Sequence, residues 1–164
     1  MIGIAANPAV AVAKKNFHMR NQIDITPFNL KYREALISLL QSEGLPVDDL
    51  PQDLPNFFMV TDNSFIVGAI GLEIYDRSGL LRSLVVKPEY RKMKIAKSLV
   101  GELERQARNE GLTSIYLLTE TARDYFSKIG FEETNRDEAP ASLKQSTEFS
   151  HVCPSTAIFM KKKV

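Results

Sequence analysis

A single cysteine, Cys153, stands among the 164 residues, so neither an internal disulfide framework nor a cysteine-rich zinc site can form. Two histidines, His18 and His151, are too few for a mostly-histidine metal centre, and no metal is expected. An excess of one charge is lacking as well: 21 Lys+Arg against 20 Asp+Glu leave a net charge of +1. Without a global field the chain has no means to hold nucleic acid or an anionic membrane, and charge-driven binding must be local. Long apolar runs are also missing. Residues 1–13 are small and apolar, but Asn7 and Pro8 interrupt them and no basic start precedes them as in an export signal. They also fall short of the roughly 20 residues a membrane-spanning helix needs. Residues 1–20 therefore read as a weakly structured tail, and the protein as cytoplasmic. What is present is 44% hydrophobic and 25% charged, the composition of a folded chain, and residues 21–164 are the size of one domain.

Short strands and amphipathic helices alternate along that domain. Ile23 and Ile25 alternate with polar neighbours as a strand that Pro27 closes, and Tyr32, Ala35, Leu36, Leu39 and Leu40 recur at helical spacing up to Gly44. Residues 45–56, with three prolines and Asp48, Asp49 and Asp53, read as loop. Residues 57–60 and 65–75 are strands joined by hairpin chemistry, and a second turn within residues 76–79 leads into a strand over residues 80–86. Such short connections make these three strands antiparallel. Ile95, Ala96, Leu99, Val100, Leu103 and Ala107 form the clearest apolar stripe, a helix that Gly111 ends. Residues 114–118 then return as a strand parallel to the one before the helix. Thr121 caps a helix running to Lys128, a further helix is predicted from Arg136 to about His151, and a last strand over residues 157–160 meets a solvated lysine tail.

The chemistry concentrates where the third of those strands feeds the strong helix. Between positions 87 and 97 stand five basic residues (Lys87, Arg91, Lys92, Lys94 and Lys97) and one acid, Glu89. Free backbone N–H groups at a helix start, with the positive end of its dipole, suit a phosphate or pyrophosphate. On charge alone a solvated basic turn is the better reading of the run, since charge runs usually lie on the surface.

Spacing separates the two. Arg91-Lys92-Met93-Lys94-Ile95-Ala96 resembles the acetyl-CoA signature of the GNAT N-acetyltransferases, Arg/Gln-x-x-Gly-x-Gly/Ala. Leu84-Val85-Val86 with Pro88-Glu89-Tyr90 before it, and Lys97-Ser98-Leu99-Val100 after it, are similar to that family too. Tyr125-Phe126-Ser127-Lys128-Ile129-Gly130-Phe131, about 35 residues on, resembles its second motif, an aromatic helix end followed by Gly-Phe. The resemblance implies an α+β fold of the α/β type: a mixed, mostly antiparallel sheet whose fourth and fifth strands splay, flanked by helices. It implies acetyl-CoA as co-substrate, its pantetheine arm on the backbone of Leu84, Val85 and Val86. Its pyrophosphate would lie on the N–H groups of Lys92, Met93, Lys94, Ile95, Ala96 and Lys97 beside Arg91. A backbone N–H near Val85 would hold the thioester oxygen. The acceptor would be a small-molecule amine attacking directly, and a homodimer stays open.

The chain departs from the family pattern at three places. Lys94 stands where the signature has its central Gly, adding a Cβ where phosphate approaches. Phe126 holds the place of the tyrosine that often protonates the departing thiolate, and Tyr125, one residue earlier, is turned by about 100° and reads as a packing residue. The acidic base often found at the start of the fourth strand is Leu80 here. Glu73, the one acid inside the run 65–75, has two readings. A two-residue turn at Arg77-Ser78 or Ser78-Gly79 puts it on the face of Arg82, as a cross-strand ion pair. Alternatively it is the general base.

Residues 136–141, 147–149 and 153–157 resemble a GNAT subgroup named for arsenic-resistance loci, which implies an acceptor such as an amino-organoarsenical or an amino-acid-like compound. Three activities remain: acetyl transfer, transfer of a longer acyl group, and a CoA-binding or degenerate module without transfer.

Overall fold

Two apolar runs around a tight turn make the first hairpin. A computed structural model describes residues 23–152 and 154–164; the expected tail over residues 1–20, His18 and Cys153 lie outside the described residues. Strand β2 (Phe57–Asp62) pairs antiparallel with β3 (Phe65–Tyr75) around Asn63 and Ser64. Their φ values, 46° and 66°, give a two-residue turn whose twist matches that of the strands. Strand β1 (Ile25–Pro27) lies at the sheet edge against β2, two residues later than the alternation of Ile23 and Ile25 suggests. Pro27 is tolerated there because an edge strand leaves one row of N–H groups unpaired.

Strand β4 (Ser78–Val86) returns along β3 through a turn at Asp76-Arg77, one residue before the first of the expected turns and two before the second, so Tyr75 faces Ser78 and Glu73 faces Leu80. Helix α2 (Ile95–Asn109) then crosses to β5 (Ser114–Thr119), which runs parallel to β4. The full order is β1-β2-β3-β4-β5-β7-β6, with β7 spanning Ile158–Lys163 and β6 (Glu132–Glu133) a two-residue strand that the sequence did not suggest. One face of the sheet packs on the α2 stripe, where Ile95, Leu99, Val100, Leu103 and Ala107 are buried. The other face receives helix α1 (Arg33–Ser42) through Leu36, Leu39 and Leu40. Each side chain of a strand goes to one face or the other; α2 covers one face, and α1 together with Ala139, Leu143 and Phe149 covers the other.

The C-terminal part departs most from expectation. Helix α3 spans Arg123–Lys128, and it is Thr119, not Thr121, whose Oγ1 accepts the Ala122 N–H at 3.0 Å. The helix predicted through to His151 breaks into a 3-10 turn (Arg136–Glu138), helix α4 (Ala141–Lys144) and a single π turn (Glu148–Val152). Ala139 precedes Pro140 and is pushed to an extended ψ of 141°, which stops a helix there. Strand β7 (Ile158–Lys163) includes the lysines expected to be a solvated tail. They pair with β5, and Lys162 Nζ lies 2.6 Å from Glu104 of α2 and 2.8 Å from the Ile129 carbonyl.

Candidate active site

A parallel pair that parts company after three residues creates the cleft. β4 pairs with β5 only at Ser78, Gly79 and Leu80. Beyond Leu80 the two strands face each other across a cavity of about 640 Å³. Residues 81–86 form one wall and residues 117–122 the other.

A bulge decides which backbone groups look into this cavity. Leu72 N–H donates to the Asn56 carbonyl on the β2 side, so Gly71 and Arg82 are the neighbouring pair that exchanges bonds between β3 and β4. Continued without interruption, that alternation would turn the Val85 N–H outward. Ser83, with φ +55°, inserts one extra residue, and Ala69 then faces Val85. Farther on, Lys87 N–H donates to the Val67 carbonyl at 2.8 Å. Two residues back, Val85 and Ala69 are therefore a bonded pair, and the Val85 N–H points at β3. Of the backbone positions near Val85 expected to hold the thioester oxygen, Val85 itself has its N–H within the sheet. Leu84 and Val86, on either side, turn their N–H groups toward the cleft.

The basic block follows directly. Pro88–Tyr90 is a 3-10 turn, and Lys92 and Lys94 are both left-handed, at φ 66° and 62°. Lys94 caps α2 in the conformation for which the signature's Gly is suited, so the backbone path is kept although the residue is not glycine. The first helical bond runs from Ser98 N–H to Lys94 O, leaving the N–H groups of Ile95, Ala96 and Lys97 outside the ladder. Arg91 and Ala96 line the cleft, while Arg91 is ion-paired with Glu43. Lys92, Lys94 and Lys97 are exposed, Met93 is half-buried, and the Ile95 side chain is in the core. Ile95 can therefore offer only its backbone. A non-glycine residue in the left-handed region costs about 1 kcal/mol or more. Lys94→Gly should accordingly stabilise the fold by about 1 kcal/mol, raise Tm by about 2–4 °C, and leave CoA affinity unchanged or tighter. A calorimetric titration showing a large loss of affinity would mean that the ammonium itself is a ligand.

A buried ion cluster borders the same cleft. Arg82, only 4% exposed, takes Asp49 bidentately at 2.7 and 2.8 Å, Glu73 at 2.6 Å, and lies 3.6 Å from Glu148. Burial works against its charge, but the Asp49 hydrogen bonds and the charge of Glu148, followed by Glu73, push its pKa above the ordinary value. Glu73 also receives the Tyr75 hydroxyl at 2.5 Å. It is thus the cross-strand partner of Arg82, diagonal to it rather than opposite, and is not among the residues lining the cavity. Glu148, from the π turn, does line the cavity and is 7% exposed. Residue spacing alone could not single it out, because its value depends on Arg82, which lies 66 positions earlier in the chain.

The aromatic pair at α3 is placed as its one-residue offset demands. Phe126 is buried edge-on against Phe131, at 5.5 Å between centroids. Tyr125 packs on the same core, as expected of a packing residue, and also lines the cleft. Its hydroxyl is buried with no hydrogen-bond partner among the described residues, and burial raises its pKa.

Among the described residues no group of three or more His, Cys, Asp or Glu could hold a metal ion, and no helix is long and apolar enough to cross a membrane. A sheet opened between two parallel strands, with a helix start beside the opening, is the architecture of an acetyltransferase domain. Residues 25–131 match the Acetyltransferase (GNAT) family, and the chain belongs to it. It is 31% identical over 113 residues to an amino-acid acetyltransferase of Pseudomonas fluorescens (strain Pf0-1), covering 65% of this chain and 26% of that protein. The chain thus spans about a quarter of the length of the curated relatives it matches. Among solved structures, N-acetylglutamate synthase from Neisseria gonorrhoeae, complexed with coenzyme A and N-acetyl-glutamate, superposes with a TM-score of 0.76 at 14% identity. That match covers 88% of this chain and 35% of the synthase. A GNAT-family acetyltransferase from Staphylococcus aureus Mu50 superposes at 0.71 with 25% identity, over 87% and 99% of the two chains.

Proposed function

We propose that this chain transfers an acetyl group from acetyl-CoA directly to the amine of a small molecule. The observation that carries the reading is the unpaired edge of β4 facing a cavity into which the start of α2 opens. The Leu84 and Val86 backbone offers the pantetheine arm a strand to pair with, and one of their outward N–H groups would hold the thioester oxygen as charge builds on it. The N–H groups of Ile95, Ala96 and Lys97 would take the pyrophosphate, with Arg91 and Lys92 as neighbouring cations.

Two further groups complete the chemistry. Attack requires a neutral amine, and Glu148 is the buried carboxylate on the cavity wall positioned to accept the proton, directly or through water. Breaking the C–S bond leaves a thiolate, and the Tyr125 hydroxyl, held protonated by burial, would return a proton to it. Glu73 would then act only through Arg82.

For the acceptor, the cluster supplies a sign. One guanidinium faces Asp49, Glu73 and Glu148, so Arg82 is committed to carboxylates of the protein. The local charge favours an approaching ammonium. Amino acids enter the panel because of the named relatives, and amino-organoarsenicals because of the C-terminal resemblance. The test is thiol release from acetyl-CoA with amino acids, diamines and amino-organoarsenicals offered in turn. Release that requires both the thioester and an amine supports the proposal. Tight CoA binding with no release for any amine would favour a binding module instead.

A further inference from the structure

We infer that Asp62 and Tyr90 form a buried clamp that positions the loop of residues 91–94 for the coenzyme phosphates. The inference rests on the proposed function, since it concerns the same loop. Tyr90 ends the 3-10 turn, immediately before Arg91, and is 7% exposed; its hydroxyl donates to Asp62 Oδ2 at 2.8 Å. Asp62 closes β2 and is 2% exposed. Its other oxygen, Oδ1, makes no hydrogen bond among the described residues, so the Tyr90 bond is what fixes the carboxylate. A buried carboxylate with so few partners is expensive, and a Phe against an apolar residue would fill the same space without that expense. What the polar pair adds is direction: it ties the loop to one point on the β2–β3 hairpin.

The loop needs such a tie because of its backbone. Lys92 and Lys94 are both left-handed, at about 1–2 kcal/mol each, and strain of this kind persists only where the surroundings impose it. On the far side the anchor is Ile95, 1% exposed and packed so closely on β3 that a Cβ at Gly68 would fall 3.0 Å from its Cγ2. On the near side Lys87 is bonded to the Val67 carbonyl, and Tyr90 reaches Asp62. Four residues are thereby held between two buried fixtures in the conformation that leaves the helix-start N–H groups open. Burial, then the Asp62 hydrogen bond, push the Tyr90 pKa up to about 12, so the donor keeps its proton throughout the neutral range.

Tyr90→Phe keeps the ring and removes the tie, and CoA titration by calorimetry reads the result. The expected outcome is a Kd raised about tenfold, with kcat at saturating acetyl-CoA within about twofold of wild type, since the loop touches phosphates that do not change during transfer. Asp62→Asn retains an oxygen to accept the hydroxyl and should stay near wild type in affinity. Adding Lys94→Gly to Tyr90→Phe should restore much of the loss, because glycine adopts the left-handed cap unaided. A merely structural pair would lower Tm and leave Kd untouched. Tyr90→Phe binding CoA as tightly as wild type therefore overturns the clamp alone. A wild type that binds no CoA overturns the proposed function, and the clamp with it.

Discussion

Arg82→Ala is expected to lose about 3–5 kcal/mol of stability, enough to drop Tm by roughly 10 °C or more. The guanidinium is the shared cation of Asp49, Glu73 and Glu148, whose side chains are 4%, 17% and 9% exposed. Removing it strands three carboxylates of like charge in a poorly solvated pocket, and that uncompensated burial, rather than the lost attraction, makes the effect large. The loss also loosens the cleft, because Asp49 ties the loop after α1 to β4 through this one side chain. Acid should recover part of the stability: each proton taken up removes a charge from the stranded group, so the variant gains relative to wild type as pH falls. Urea unfolding of both proteins at neutral and mildly acidic pH measures this. A loss below 1 kcal/mol would mean that the cluster is solvated and holds nothing.

Glu148→Gln should lower kcat about 100-fold near neutral pH, the lower range of what a positioned base contributes. Glutamine has nearly the same volume, and Arg82 keeps Asp49 and Glu73, so the fold should survive. KM for acetyl-CoA should change little, because a proton acceptor contributes in the transition state and adds nothing to ground-state binding of the coenzyme. As the pH rises toward the pKa of the free amine, the acceptor loses its proton to solvent and the base becomes dispensable. The deficit should therefore shrink at high pH. Steady-state rates across a pH series decide the matter, and a variant with wild-type turnover would remove Glu148 from the chemistry.

The parts of this arrangement that were legible in the sequence are those carried by short-range periodicity. The α2 stripe could be read because five buried apolar residues recur at helical spacing, and the crossover to a parallel β5 followed from its length. The basic loop was legible because it is contiguous. What could not be read depends on one-residue events or on distant partners. The bulge at Ser83 reverses every N–H direction after it, and nothing in Leu81-Arg82-Ser83-Leu84 advertises a left-handed serine. The β3–β4 turn lies one or two positions before the two that were expected, yet Glu73 stayed on the Arg82 face, so the ion pair was foreseeable and its third and fourth members were not. Residues 161–163 looked like a solvated tail because three lysines carry no strand signal. Glu104, Ile129 and the Tyr116 ring, 5.5 Å beneath Lys161 Nζ, supply the contacts that hold them in β7.

The most direct test of the central claim, that the opened β4–β5 cleft is a coenzyme A site, is the thermal unfolding of the full chain with acetyl-CoA, with CoA and with neither. Both ligands should raise Tm in a concentration-dependent way, and tenfold excess over Kd corresponds to about 1.4 kcal/mol of added stability. No shift from either ligand at millimolar concentration would contradict the account.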